Sequence, residues 1–234
     1  MSPPPHPAEN RLLAALPAEE LASLIALLQP SPLVTGDMLF EPGQAQQFIY
    51  FPTSAVISLH YVTESGASAE TSAVGSEGVV GAAVFLGGVS TSSSAVVTRT
   101  GMAFRLPQET AKLEFNRAGP LRRLLLLHTR SMITQTAQTA GCNRYHSVSQ
   151  ILSRWLLTTL DRSEEGELAM TQELLGGILG VRREGITEAA GRLQDAGFIR
   201  YRRGHILVTD RAGLETSACE CYGAMKREIG AMFA

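Results

Sequence analysis

The residues of this chain best suited to chemistry lie between positions 171 and 203: Thr171, Gln172, Arg182, Arg183, Glu184, Thr187, Glu188, Arg202 and Arg203. An arginine offers a planar fork that binds guanine bidentately, a glutamate accepts from cytosine, and hydroxyl or amide side chains reach bases and phosphates alike. Such groups act together only when they share an exposed face. The elements that carry them therefore decide what they do.

Residues 171–209 read TQELLGGILGVRREGITEAAGRLQDAGFIRYRRGHILVT. Thr171 is a suitable N-cap, and Glu173 puts a carboxylate in the first turn, where it complements the helix dipole. Leu174, Leu175, Ile178 and Leu179 fall on one face, and Gly180 interrupts the pattern where a tight inter-helix turn needs a permissive backbone. A second helical pattern buries Ile186, Ala189, Ala190 and Leu193, and Gly197 ends it. Its opposite face carries Glu184, Thr187, Glu188 and Gly191, flanked by Arg183. Residues 198–201 and 206–209 read as two strands joined by the basic turn 202–205. A helical hairpin with a solvated charged face would account for the helices alone. The turn glycine, the outward arginines and the basic hairpin, in that order, predict instead a winged helix-turn-helix whose second helix enters the major groove of double-stranded DNA.

The rest of the composition fits that expectation. The 234 residues are 44% apolar, enough for one large or two ordinary globular domains. The formal net charge of -2 does not by itself suggest nucleic acid, but residues 1–110 carry -6 and residues 111–234 carry +4. The basic surplus thus lies in the half with the helix-turn-helix, as an electrostatic footprint requires. Residues 1–7 (MSPPPHP) lack a basic stretch followed by an apolar core, so a disordered tail over residues 1–10 and a cytoplasmic protein are expected. The uncharged run 78–98 contains GGVSTSSS and breaks into strand-length pieces, which excludes a membrane span.

Along the chain, Pro17 opens a short helix with Leu21, Leu24, Ile25 and Leu28 on its buried face, and Pro30 and Pro32 stop it. Between 33 and 106 the runs MLF, FIYF, AVISLHYV, TSAV, SAVVT and MAFRL, separated by glycine-rich turns, predict an antiparallel β sandwich or barrel. A long helix follows Gly119-Pro120. One of its stripes, Leu121, Leu125, His128, Met132, Gln135 and Thr139, has coiled-coil spacing and predicts a homodimer seam. A second, Leu124, Leu127 and Ile133, is expected to cover the β domain. A hinge at 141–143 then precedes another helix with Val148, Ile151, Leu152, Trp155 and Leu156 inward. The polar loop SEEGE leads from it to the helix-turn-helix, and a final helical segment over 212–233 has no assigned role.

The motifs GDMLFEPGQ (36–44), the region 78–97 and TQELLGGILGVRREGITEAAGRLQDAGFI (171–199) resemble the family of the cyclic-AMP receptor protein and the fumarate-nitrate reduction regulator. The resemblance implies an α+β chain with a cyclic-nucleotide-binding-like antiparallel β-roll over 11–118, a dimerisation helix over 119–140 and a C-terminal winged helix-turn-helix over 141–234. It implies a homodimeric transcription regulator, with RNA polymerase and an unknown small-molecule effector as further partners and no membrane. The family's Arg-Glu pair opening the recognition helix falls on Arg183 and Glu184, while a further base-contacting arginine falls on Glu188. The family's ribose-binding glutamate is replaced by valine in the 78–81 segment, beside Glu77, and its phosphate-binding arginine by Ser93. The resemblance therefore implies the fold without the nucleotide chemistry.

Other chemistry is poorly supported by the sequence. Three cysteines exclude a disulfide framework, and the N-terminal four-cysteine iron-sulfur set of one branch of the family is missing. His6, His60, His128 and His205 are isolated, so no cofactor is expected. Ser92, Ser93 and Ser94 lack a nucleophile-elbow context and there is no P-loop, so the chain is not read as an enzyme. A dimeric ligand-binding protein without sequence-specific DNA binding is the alternative, and it leaves Arg182, Arg183, Arg202 and Arg203 without purpose. Cys142 and His146 share a helix face and, with Cys219 and Cys221, would complete a Cys₃His zinc set. Because nothing in the sequence brings the two segments together, no metal is assigned, and buried cysteines beside a surface histidine are the expectation.

Overall fold

The computed structural model describes residues 5–64, 66–88, 90–162 and 167–234. The chain forms two compact units, one of Met1–Val62, Ser72–Thr134 and Glu228–Ala234, the other of Thr63–Thr71 and Gln135–Arg227.

The first unit is built from helices α1 (Arg11–Ala14) and α2 (Ala18–Ile25), strands β1 (Gln29–Leu33), β2 (Met38–Phe40), β3 (Phe48–Pro52), β4 (Val56–Val62), β5 (Ser68–Val74), β6 (Ser93–Arg99) and β7 (Gly101–Pro107), and helices α3 (Gln108–Asn116) and α4 (Pro120–Tyr145), except that Ser68–Thr71 of β5 and Gln135–Tyr145 of α4 belong to the second. The strands form two sheets, β1-β7-β3 and β2-β6-β4-β5, with β1–β7, β3–β7, β2–β6 and β4–β6 antiparallel. The run FIYF reads as continuously apolar because β3 is buried on both faces. Ile49 and Phe51 join Leu12, Leu13, Leu24, Leu106, Leu121 and Leu125 under the helices. Tyr50, between them in sequence, joins Phe40, Ile57, Val74, Ala95 and Val97 between the sheets.

Several expectations are corrected here. Residues 7–10 are not a free tail: Pro7–Glu9 is a 3₁₀ turn, and the buried Asn10 amide donates to Pro52 O (2.8 Å) and Gly78 O (2.9 Å). One side chain thereby satisfies two carbonyls in the interior, where leaving them unpaired is costly. Pro30 and Pro32 lie within β1, which the missing N–H of proline allows because β1 is an edge strand. Helices α1 and α3 are not apparent from the sequence pattern. Among the described residues, no helix is long and apolar enough to cross a membrane.

Helix α4 corrects the expectation in two ways. It continues through 141–143 without a hinge and ends at Tyr145, where Ser147 caps the next helix in a reciprocal box with Gln150. Its buried face is also not the one expected. Leu121, Leu125, His128 and Gln135, expected at a partner, are buried within the chain, and Met132 packs against the core between the sheets. Of the stripe expected to cover the β domain, Leu124 is buried but Ile133 is 67% exposed, and Leu126 is exposed beside it. The reason is a close approach. The ring of His128 lies over Gly78, where a Cβ would sit 2.2 Å from Cε1, and its Nε2 is 2.9 Å from Val79 O. Only glycine at 78 lets the imidazole reach that backbone.

The second unit contains α5 (Val148–Leu160), β8 (Glu167–Ala169), α6 (Gln172–Leu179), α7 (Arg183–Asp195), β9 (Ile199–Arg202), β10 (His205–Val208), α8 (Arg211–Ser217) and α9 (Cys221–Gly230). Most of the SEEGE loop lies outside the described residues. Its last residue, Glu167, begins β8, which gives the wing a third strand in the order β8-β10-β9. Ile151, Leu152, Trp155, Leu156, Leu175, Ile178, Ile186, Leu193, Ile206 and Leu214 share one core. Trp155 is a core residue, as expected.

Candidate nucleic-acid interface

Helices α6 and α7 are positioned by their buried faces. Thr171 caps α6 by accepting from Leu174 N at 3.2 Å. Leu175, Ile178 and Leu179 turn inward, but Leu174, expected beside them, is 47% exposed. Gly180 ends α6 in the left-handed region at φ 67°, a geometry that favours glycine. Arg182 is the N-cap residue of α7 and Arg183 its first helical residue. Since Ile186, Ala189, Ala190 and Leu193 are buried, Arg183, Glu184, Thr187 and Glu188 are left exposed, as the helical wheel predicts.

Polar contacts hold this face. The Thr187 hydroxyl donates to Gln172 Oε1 at 2.7 Å, linking α7 to the first turn of α6. Glu188 lies 3.9 Å from Arg192, a contact between two exposed side chains that contributes little. The wing turns through Arg203 (φ 51°) and Gly204 (φ 80°). Positive φ at both central residues is what a type I′ hairpin needs. The Tyr201 hydroxyl donates to Met170 O at 3.0 Å, and burial raises its pKa, so the phenol stays neutral and anchors the wing.

The consequence is a cleft of about 430 Å³ lined by Thr171, Gln172, Glu173, Arg183, Tyr201, Arg203 and Gly204. Two arginines 20 positions apart in sequence thus share one concave surface with the first turn of α6. On the wing, a second groove of about 380 Å³ is lined by Glu167, Arg200, Arg202, Arg203, His205 and Leu207. Arg200 is absent from the residues expected from sequence. Strand alternation would have found it, since Ile199 and Tyr201 face inward and Arg200 and Arg202 outward in the run IRYR.

The structure also brings together the four residues that the sequence leaves apart. Cys142, His146, Cys219 and Cys221 place one ligand atom each within 4.8 Å of one another. The Cys142 and Cys219 sulfurs are 3.5 Å apart, and their hydrogen bond pulls the Cys219 thiol down to about 5 and pushes that of Cys142 up. Nearby, Asp161 binds the Arg211 guanidinium and accepts from the Tyr222 hydroxyl at 3.0 Å, joining the ends of α5, α8 and α9. Burial, with Asp161 second, raises the Tyr222 phenol to about 12.

A helix-turn-helix with a basic three-stranded wing defines the second unit as a winged helix domain. Residues 150–217, from α5 to the end of α8, match the family model of the Crp-like helix-turn-helix domain. Among solved structures, a protein described as a Crp/Fnr-family transcriptional regulator from Eubacterium rectale is similar at a TM-score of 0.70 and 15% identity. The match covers 89% of this chain and 97% of that one. A CRP/FNR-family transcriptional regulator from Thermus thermophilus is similar at 0.64 and 21% identity, over 81% and 98%. The c-di-GMP-responsive global regulator of Xanthomonas campestris is similar at 0.64 and 16% identity, over 82% and 99%. No curated protein matches the sequence. The chain carries a Crp-like helix-turn-helix domain and has the fold of the Crp/Fnr regulators.

Proposed function

We propose that this chain is a homodimeric, cytoplasmic transcription regulator. In this reading its β-rich unit receives a small-molecule signal, α4 joins two copies, and α7 with the wing binds double-stranded DNA. The observation that carries this reading is the cleft in which Arg183, at the start of the exposed face of α7, stands with Arg203 of the wing. A recognition helix enters the major groove with its first turns, and a basic wing beside it meets phosphates. Genome-wide mapping of bound DNA should return near-palindromic sites with half-sites about one helical turn apart. Affinity for them should fall steeply with salt. Sites without a shared sequence, or affinity indifferent to salt, would reject this reading in favour of a dimeric ligand-binding protein.

The dimer is assigned to the exposed side of α4. Leu126, Arg130, Ile133 and Ala137 recur at spacings of 4, 3 and 4, as a seam requires. A groove of about 410 Å³ lined by Arg122, Arg123, Leu126, Leu127 and Arg130 lies on the same side.

Cyclic AMP is not the effector in this reading. Transferring a cyclic phosphate from water into a β-roll is expensive unless a charge or several donors replace its hydration. Ser93 supplies no charge, Val79 and Val80 are buried apolar residues, and the buried Glu77 carboxylate accepts from Gly75 N at 3.2 Å. Arg99 donates to Ser54 O, and Arg105 donates to Gln29 and stacks on Phe48 at 4.2 Å. Calorimetry with cyclic AMP or cyclic GMP should show no binding at roughly tens of micromolar, where a site would yield about 6–7 kcal/mol. A micromolar dissociation constant would overturn this.

A further inference from the structure

We propose that Cys142, His146, Cys219 and Cys221 form a closed tetrahedral site for a single thiophilic divalent cation, and that the cation is zinc. Two local patterns build it. Cys142 lies in the last turn of α4 and His146 just beyond its end, four residues on, with His146 N donating to Cys142 O at 3.0 Å, and Cys219 and Cys221 flank Glu220 where the chain enters α9. Packing of α4 beside the C-terminal segment brings together two inner sulfurs 77 positions apart in sequence.

The spacing suits one ion. A tetrahedron with zinc-sulfur bonds of about 2.3 Å and a zinc-nitrogen bond of about 2.0 Å has ligand-ligand edges of about 3.5–3.8 Å. The Cys142 and Cys219 sulfurs are 3.5 Å apart, and Cys221 Sγ is 3.8 Å from His146 Nδ1. A disulfide between Cys142 and Cys219 would need about 2.05 Å and would leave Cys221 and His146 without a role. An iron-sulfur cluster would hold its thiolates farther apart, because several irons and sulfides lie between them.

Two observations outside the four ligands point the same way. His146 presents Nδ1 to the sulfurs while its Nε2 lies 3.2 Å from Glu220 Oε1. A carboxylate on the far nitrogen is the usual partner of a metal-binding imidazole, fixing its tautomer and orientation. The second observation is Arg154, which is only 5% exposed. Among the described residues its Nε has no hydrogen-bond partner, and its Nη1 donates to Met225 Sδ at 3.6 Å. A buried guanidinium is costly unless an anion accompanies it, and among the described residues no carboxylate pairs with this one. Three thiolates and a neutral imidazole on a divalent cation carry a net charge of -1, and Arg154 is buried in α5, whose inward residues share one core with Cys142 and Cys219. The loaded site thus supplies the missing counter-charge, whereas three neutral thiols do not. With four protein ligands no position is open for water, so the ion is structural, pinning the end of α4 to the C-terminal segment.

The test uses the full chain, made without an affinity tag and purified under reducing conditions. Elemental analysis should give about one zinc per chain. Stripped protein should take up one cobalt(II), with the strong visible bands of a tetrahedral ion and the near-ultraviolet charge transfer of thiolate ligation. His146→Cys should keep the zinc, His146→Ala and Cys142→Ser should lose it, and chelation should lower the Tm of the wild type and of His146→Cys but not of the two variants without zinc. Zinc well below one per chain with no uptake by stripped, reduced protein would overturn the site. So would iron with acid-labile sulfide, a Cys142–Cys219 disulfide in the reduced preparation, or zinc retained by Cys142→Ser. The wild-type measurements stand even where a variant fails to fold.

Discussion

Aspartate at Leu125 should unfold the β-rich unit, whereas aspartate at Ile133 should leave it folded and separate the dimer. Leu125 is fully buried among Leu12, Leu13, Ile49 and Leu106. Removing its packing costs about 2–5 kcal/mol, and an unpaired carboxylate in that place adds several more or is held protonated at similar cost. Against a typical stability of about 5–15 kcal/mol, the two together remove most of what holds the unit. Ile133 is 67% exposed, and surface replacements of that kind usually change stability by less than about 0.5 kcal/mol. Across a two-fold axis it would meet its own copy, so Ile133→Asp sets two like charges face to face in the seam. Thermal unfolding should show a collapse for Leu125→Asp and almost no change for Ile133→Asp. Sedimentation at micromolar concentration should show the latter as a monomer. A folded monomer from Leu125→Asp beside a dimeric Ile133→Asp would return the seam to the stripe through Leu121, Leu125 and His128.

The burial of Leu125 and His128 within the chain marks the limit of what the sequence discloses. The period of α4 is visible in its leucines, and so is the presence of two apolar faces. Which face lies at home depends on a contact 50 positions away, where Gly78 admits the His128 ring, and no local pattern records it. The helix-turn-helix was more legible because its determinants are local. The burial of Ile186, Ala189, Ala190 and Leu193 follows from spacing alone, and the exposure of Arg183, Glu184, Thr187 and Glu188 follows from that. Local rules misled where topology overrides them. Two prolines that read as a helix stop are accommodated by an edge strand, and polar Asn10 looks like tail until its amide is seen to bridge Pro52 and Gly78. The cysteine-histidine cluster falls between these cases. Each half is a recognisable spacing, but their meeting is a tertiary event.

Replacing Arg183 should relax sequence preference, while replacing Arg203 should weaken all sequences alike. Both line one cleft, yet they stand on different elements. Arg183 opens α7 on its exposed face, where a guanidinium reaches the guanine edge, and losing a bidentate base contact costs about 1–3 kcal/mol at one base-pair position. Arg183→Ala should therefore bind the mapped operator about 5- to 150-fold more weakly and discriminate poorly at a single position of each half-site. Arg203 stands in the wing turn at φ 51°, so alanine there would add backbone strain to the loss of charge. Asparagine tolerates that conformation, and Arg203→Asn isolates the electrostatic contribution. It should lower affinity for specific and random duplexes by similar factors and reduce the slope of log affinity against log salt by about 1 for each phosphate that is no longer neutralised. Fluorescence anisotropy over a salt series, with the operator and all single-base variants of one half-site, reads both effects. Uniform losses from both variants would dismiss Arg183 as a base reader, and a position-specific loss from Arg203→Asn would move base recognition to the wing.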